Sequence, residues 1–349
     1  MQIDVILEPD LTPAQVAEIA VAAEAYGVRT LWHSNYHQNP DGFVALVPAA
    51  LATSRIRLGV LAVSPFELHP LKIGTSLLTL NEISGGRAVV AIGGGGAVLQ
   101  AVGIESGANR KKLRMVRAVR EAVEIVQAMA SGEFHRGYQG EIHQVALPFK
   151  NSWTTAPPAQ VFTASTREQM LEMAGRVADG TQMSDVTPEV VEERVAAVHR
   201  GLERRESPAR DFRIGNFWAW HVKADPDAAW REARRELVFR GQMFPPKVDI
   251  TPYATEEERA LVLERMGSFQ KAYWTRSGVI EDVPDELVTR LVNAFSSTGG
   301  LDVIDREVER FRAFERAGVT ELALRLFDDQ PEGLKIIGEH VLPHFDRAS

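Results

Sequence analysis

Four consecutive glycines, Gly93–Gly96, follow the apolar run Ala88–Ile92. Glycines at a strand end let a ligand approach the backbone without meeting a Cβ, and free amides there suit a phosphate. A flexible turn would use the same residues. Ser165-Thr166-Arg167 is a second candidate: two hydroxyls and a cation at the start of a helical segment, where the amides and the dipole favour an anion. Plain N-capping would use the same hydroxyls. Groups able to handle protons are Tyr36 and His37, with Glu8 placed to orient either of them. His33 and His37 are four apart but read as loop residues with no carboxylate pair beside them, so no metal is expected. There is no nucleophile-elbow pattern and no glycine-spaced turn after the first strand, which argues against a Ser-His-Asp hydrolase and a Rossmann site. His69, before Pro70 at a helix start, reads as structural. Trp218 and Trp220 share one strand face, as core or as a stacking wall for a flat ligand.

These groups need elements to position them. Gln2–Leu7 reads as a strand. Thr12-Pro13 opens a helix as N-cap and first helical position, Val16, Ile19, Ala20 and Ala23 recur at helical spacing, and Gly27 ends it. Strand Val28–Trp32, helix Gly42–Thr53, strand Ile56–Val63 and helix Pro70–Ile83 lead to a turn at Ser84-Gly85-Gly86-Arg87 and to strand Ala88–Ile92. This alternation implies parallel strands with helices outside. Lys111–Ala130 is a long amphipathic helix. Gly132–Pro158 breaks the rhythm, and FHRGYQGEIHQVAL within it alternates as a hairpin. The beat resumes with strand Ala159–Ala164, helix Thr166–Val177, strand Gly180–Met183, helix Pro188–Arg205, strand Phe212–Val222 and helix Asp225–Phe239.

Gly241–Thr298 fits no single βα unit. It holds a turn at Pro245-Pro246 and helices near Glu256–Met266 and Asp285–Ala294, and reads as an excursion across one end. Helix Asp302–Ala317, strand Leu322–Leu326 and helix Pro331–Val341 close the chain. Eight strands alternating with helices predict an α/β fold, a single-domain (β/α)8 TIM barrel over 1–349 with insertions at about 132–158 and 241–298. A doubly wound open sheet is the alternative. In a barrel the working residues lie at the C-terminal strand ends, and there fall Glu8, His33–His37, Ala62–Phe66, Gly93–Gly96, Ser165–Arg167, Ser184-Asp185, His221 and Arg325–Asp328.

The chain has 349 residues, 45% hydrophobic and 25% charged, with net charge -8 and no cysteine. That composition is globular. It excludes disulfides and thiolate sites, and no basic cluster suggests nucleic acid. No apolar run reaches the roughly 20 residues needed to span a bilayer. The first residues carry a strand pattern rather than a signal peptide, and a cytoplasmic location is expected.

The stretches AQVAEIAVAAEAYGVRTLW, SRIRLGVLAVSPFELHP and LLTLNEISGGRAVVAIGGGG resemble the bacterial-luciferase-like flavin and deazaflavin oxidoreductases. LEMAGRVADG and AGVTELALRLFDDQPEGLKIIGEHVLP extend the resemblance to nearly the whole chain outside 241–298. The layout is most similar to methylene-tetrahydromethanopterin reductase and to the glucose-6-phosphate and secondary-alcohol dehydrogenases that use coenzyme F420. The resemblance implies a flavin-type ring at the C-terminal mouth of the barrel. It implies phosphate binding by Gly94 and Gly95 after the fourth strand and by Ser165, Thr166 and Arg167 after the fifth. It also implies a non-proline cis peptide at Leu61–Ala62 in a bulge that props up the ring, with Ser64 and Asn35 beside it.

The expected cofactor is F420, with FMN as the alternative. The expected reaction is hydride transfer to or from a small organic molecule. An FMN-dependent monooxygenase and a non-catalytic cofactor-binding protein are the rival readings. Relatives pair through their second and third helices, so a homodimer is expected. Three positions depart from the deazaflavin pattern. Asn35-Tyr36 stands where Asp-His is usual, Gly96 where an acid is found, and Arg167 where a glycine is found.

Overall fold

The computed structural model describes residues 1–104, 112–132, 137–207, 211–240, 243 and 248–345. Its centre is a closed barrel of eight parallel strands. These are β1 (Gln2–Leu7), β2 (Thr30–Ser34), β3 (Arg57–Val63), β4 (Ala88–Gly93), β7 (Gln160–Ala164), β8 (Gly180–Ser184), β9 (Arg213–Val222) and β11 (Glu321–Arg325). Pairing runs β9-β11-β1-β2-β3-β4-β7-β8 and returns from β8 to β9, which excludes an open doubly wound sheet. A short antiparallel pair, β5 (Tyr138–Gln139) with β6 (Gln144–Val145), lies in the first insertion. The residues before Gly137 in the expected hairpin, the Lys111 start of the long helix and the Pro245-Pro246 turn lie outside the described residues.

Each barrel strand is buried on both faces, because helices cover the outside and side chains fill the inside. Ile3, Val5, Leu7, Leu58, Val60, Val90 and Ile92 point outward into the main core beneath the helices. Ile6, Trp32, Val89, Ala91, Phe162 and Ala323 point inward and plug the barrel. At the N-terminal end of the plug, Asp4 accepts from the Thr30 amide (3.0 Å) and Trp32 Nε1 (3.1 Å). Beside it Glu321 pairs with Arg213 (2.8 Å) and Arg29 (3.4 Å). Burial and the Glu321 charge push the Asp4 carboxyl well above the ordinary range. Charge pairing lines this end, and by the rule for such barrels the working face is the C-terminal one.

The expected helix from Gly42 to Thr53 is two helices, α2 (Gly42–Ala45) and α3 (Val47–Ala52), broken at Leu46. Pro48 lies in the first turn of α3, where its missing N–H costs nothing. Then come α4 (Pro70–Ile83), α5 (Gly96–Ala101), α6 (Met115–Ala130), α7 (Glu168–Val177) and α8 (Val191–Glu203). His69 caps α4 by accepting the Leu71 amide at its Nδ1, a structural role.

β9 is longer than its barrel neighbours. Its first half pairs with β11, and its last four residues pair with β10 (Ser296–Gly299), a strand missed in the sequence. The helix covering this part of the barrel is α13 (Ile304–Arg316). Its Phe314 and Phe311 rings lie 5.5 and 6.1 Å from Trp218 and Trp220. Both tryptophans are therefore core, and the stacking-wall reading is corrected: Phe217, one residue earlier, faces the barrel interior.

Between β9 and β10 lie α9 (Pro226–Glu236), α10 (Glu256–Glu264), α11 (Met266–Trp274) and α12 (Asp285–Phe295). The single helix expected near Glu256–Met266 is followed directly by α11. These four helices share a small core of their own, including Leu237, Val262, Phe269, Leu287, Leu291 and Phe295. Because α9 contributes to that core, the excursion's packing begins before Gly241. The chain closes with α14 (Gln330–Ile336) and short turns beyond it. No described helix is long and apolar enough to cross a membrane.

Arg87 fixes the turn before the glycine run. Its Nε donates to Ser84 O (2.7 Å), Nη1 to Thr53 Oγ1 (2.9 Å) and Ile56 O (2.8 Å), and Nη2 to Ala50 O (2.8 Å) and Thr53 O (3.0 Å). A planar fork satisfies five acceptors at once, which a lysine cannot do. Arg87→Lys should therefore cost about 2–4 kcal/mol, seen as a lower urea midpoint at unchanged m value. A cost under about 0.5 kcal/mol would show that the fork does not hold the turn.

Candidate active site

Strand register sets the open mouth. β1 and β11 pair side by side, Ile6 opposite Arg325, so Glu8 emerges next to the Arg325 side chain. Arg325 lies at an inward-facing position and is 8% exposed. A guanidinium this buried needs a counter-charge and acceptors. Glu8 supplies the charge through Nε. Tyr36, from the loop after β2, supplies its phenol oxygen to Nη2 at 2.8 Å. The rings of Tyr36, Phe217 and Phe327 surround the guanidinium at 5.9, 5.8 and 5.5 Å. Burial disfavours its charge, but Glu8 and Tyr36 outweigh that and raise Arg325 further above the ordinary guanidinium range. Arg325 therefore stays a cation throughout, and the Tyr36 hydroxyl oxygen accepts from it.

The other expected proton handlers are arranged differently. Glu8 reaches Tyr36 through Arg325 rather than directly. His37 is exposed in the following turn, outside this cluster. His33 is the last but one residue of β2, not a loop residue, and is fully buried, where burial lowers its imidazole below the ordinary range. Arg325 stood among the strand-end positions expected to line the mouth but was given no role; its only signal was a cation at the end of the last barrel strand.

The bulge on β3 lies across the mouth. The Leu61–Ala62 peptide is cis, at the position the resemblance implied. The Asn35 amide donates to Leu61 O (3.0 Å), and Asn35 Nδ2 to Ala62 O (3.4 Å). Glu67 closes this group, accepting from Asn35 Nδ2 and from the Ser64 amide, both at 3.5 Å. Partial burial raises its carboxyl, and these hydrogen bonds oppose the rise. Glu67 is a second titratable group not foreseen.

The glycine run packs closely against side chains of the chain itself at Gly94 and Gly95. Gly93 ends β4, and Gly95 has φ 85°, the left-handed region. A Cβ on Gly95 would lie 2.5 Å from Ser64 Oγ, and one on Gly94 2.7 Å from Met115 Sδ. A Cβ on Gly96 would meet nothing within 4 Å. Beside the run, after β7, the strand that pairs with β4, Ser165 Oγ is buried with no hydrogen-bond partner among the described residues. Thr166 Oγ1 accepts from the Ser184 amide (3.2 Å). The cap residue of α7 is Arg167, with no side-chain cap bond. The plain N-cap reading of Ser165-Thr166 therefore does not hold: neither hydroxyl caps α7, and its first-turn amides have no side-chain acceptor.

The ends of β8, β9 and β11, the helix α9 and the turn after α11 contribute a set of charge pairs. Arg240 meets Asp185 (3.3 Å), Lys223 meets Glu232 (3.1 Å), and Arg235 meets Glu236 (2.7 Å) and Asp328 (2.6 Å). Arg276, just past α11, also pairs with Asp328. His221 donates or accepts at Nδ1 to Glu232 (2.7 Å) and stacks on Phe327 with ring centres 4.4 Å apart. Burial outweighs Glu232 and lowers the His221 imidazole below its ordinary range.

A sequence profile described as luciferase-like monooxygenase matches residues 2–321. The chain belongs to that family. It is 27% identical over 350 residues to a 5,10-methylenetetrahydromethanopterin reductase of Archaeoglobus fulgidus, covering 98% of this chain and 99% of the other. Among solved structures, the coenzyme F420-dependent tetrahydromethanopterin reductase of Methanopyrus kandleri superposes with TM-score 0.79 at 22% identity, covering 99% of both chains. An F420-dependent secondary alcohol dehydrogenase bound to an F420-acetone adduct gives TM-score 0.74 at 16% identity, again over 99% of both. This luciferase-like chain is thus an oxidoreductase of that family, on the barrel that both structures share.

The Glu8–Arg325 pair makes an energetic prediction. Removing either partner leaves the other charge partly buried and unpaired, so Arg325→Met and Glu8→Gln should each cost about 2–4 kcal/mol in urea unfolding. The double variant should cost less than their sum by about 1–3 kcal/mol. Additive costs would show that the two charges are not coupled.

Proposed function

We propose that this luciferase-like protein transfers a hydride between coenzyme F420 and a small organic substrate. Two things support F420. The structures quoted above that name a cofactor name F420, and the A. fulgidus reductase is similar along its full length. The observation that carries a phosphate-tailed cofactor is Ser165: a buried hydroxyl without a partner among the described residues, at the start of a helix whose cap makes no side-chain hydrogen bond and next to the glycine run that ends the neighbouring strand. A buried hydroxyl left unsatisfied costs about 1–3 kcal/mol, and an anion's oxygen would satisfy it.

In this reading Gly94, Gly95, Ser165, Thr166 and Arg167 hold the phosphate, and Leu61, Ala62, Ser64 and Asn35 support the ring. F420 would supply a two-electron carrier that exchanges hydride. The chain's own share is to orient, to exclude water and to hold a proton. Arg325 fixes Tyr36 Oη with its proton directed into the mouth, and Glu8 keeps Arg325 in place. Tyr36 is then the proton partner of the hydride step, at the position where relatives carry Asp-His.

Anaerobic titration with F420 and with FMN tests the cofactor. F420 should bind the tighter, and Ser165→Ala should weaken it about tenfold while raising the stability of the cofactor-free protein by about 1 kcal/mol, because the unsatisfied hydroxyl is gone. Tight FMN binding with no F420 binding would instead favour the monooxygenase reading. Cofactor binding without turnover on any substrate would favour a binding protein. We also propose a homodimer through α2–α4, where Val44 and Leu51 are 65% and 74% exposed. Leu51→Glu should convert the dimer to monomer in light scattering.

A further inference from the structure

His221 is the last but one residue of β9 and lies at its C-terminal end, the working end of the barrel. It has the same parity along the strand as Phe217, which faces the barrel interior. Its imidazole stacks on the Phe327 ring, with ring centres 4.4 Å apart. The Phe327 ring lies in turn 5.5 Å from Arg325 Cζ. Direct contacts thus place His221 one ring away from the Glu8–Arg325–Tyr36 cluster. On its other side His221 meets α9, where Nδ1 lies 2.7 Å from Glu232 Oε1. The side chain is closed off from solvent.

The charges around the ring decide which nitrogen holds the proton. Lys223 Nζ lies 3.1 Å from Glu232 Oε2, so Glu232 already has its cation. A carboxylate only accepts, and Nδ1 must therefore donate to it. Arg240, stacked over the same Phe327 ring at 5.4 Å, opposes a further positive charge here, and burial keeps the imidazole neutral. In that neutral ring the other nitrogen, Nε2, carries a lone pair and no hydrogen. Nε2 is buried, and no described residue hydrogen-bonds it. The two ring nitrogens point away from each other, so with Nδ1 on α9 the open lone pair is turned from α9 toward the barrel side. A histidine kept only for packing would have both nitrogens satisfied, since a buried acceptor left bare is costly.

We propose that His221 is a specificity-determining residue of the mouth, whose Nε2 accepts a hydrogen bond from an uncharged O–H or N–H group of the bound ligand. Glu232 fixes the tautomer that leaves this acceptor open, and Phe327 holds the plane of the ring. An ionised carboxylate or phosphate has no hydrogen to offer and would set lone pair against lone pair at this point. A ligand with its donor blocked would leave Nε2 bare in a place water does not reach freely. That the ligand is the substrate of a hydride transfer rests on the proposed function, but the acceptor itself does not.

The test uses the intact protein, isotope-labelled at its histidine nitrogens and followed by NMR, first without cofactor and then with F420 added. Phenol is the donor probe, and methoxybenzene is the matched probe whose donor is blocked. The free protein should show His221 protonated at Nδ1 and bare at Nε2. Phenol should shift the Nε2 signal saturably and bind about tenfold tighter than methoxybenzene. His221→Phe, which keeps a ring against Phe327, should erase that preference. The signals of the unsubstituted protein carry the test by themselves if this variant fails to fold. A proton on Nε2, no phenol-dependent shift there, equal binding of the two probes, or a preference that survives His221→Phe would overturn the proposal. Failure of F420 to bind while phenol still shifts Nε2 would sink the cofactor reading and leave the acceptor standing.

Discussion

A buried guanidinium determines how the open end of this barrel is built. Arg325 sits inside the ring of strands, where a lone charge would be prohibitive. It is tolerable because β1 pairs with β11 and delivers Glu8 alongside, and because the loop after β2 turns Tyr36 inward. Three strands from opposite ends of the chain must be in register for one cation to be satisfied. The same pairing fixes which polar atoms face the mouth, so the constraint on stability also sets the chemistry. The two barrel ends follow one rule with different outcomes. At the closed end Asp4, Glu321 and the arginines are sealed beneath the plug, and at the open end the pair keeps a phenol directed outward.

The barrel was legible because its signals are local. Strand and helix periods, the Thr12 cap and the Gly27 stop each act within a few residues. The glycine run was read correctly as a strand end, and the bulge at Leu61–Ala62 came through the resemblance of its surrounding sequence. Ser165 was found by residue type, although its meaning changed: the expected competitor, N-capping, is absent because the helix starts two residues later than the hydroxyls suggest.

What escaped was non-local. Arg325 and Glu8 are 317 positions apart, and nothing in either neighbourhood marks the contact. The excursion showed its helices near Glu256–Met266 and Asp285–Ala294, but the core they share with α9 is made of contacts between segments, and β10 is only four residues long. Trp218 and Trp220 invited a ligand role by their size. The phase of β9 turns them outward onto Phe311 and Phe314 instead. A one-residue change of parity moved the candidate ring to Phe217.

In the proposed function one cradle holds a cofactor phosphate between the strand-four glycines and Ser165, with the ring lying toward Tyr36 and Arg325. A crystal structure of the protein soaked with F420 tests this. Phosphate oxygens are expected within hydrogen-bond distance of Ser165 Oγ and of the Gly94 and Gly95 amides, and the ring against Ala62 below the Tyr36 hydroxyl. Density for the phosphate elsewhere, or a ring placed away from Arg325, would contradict it.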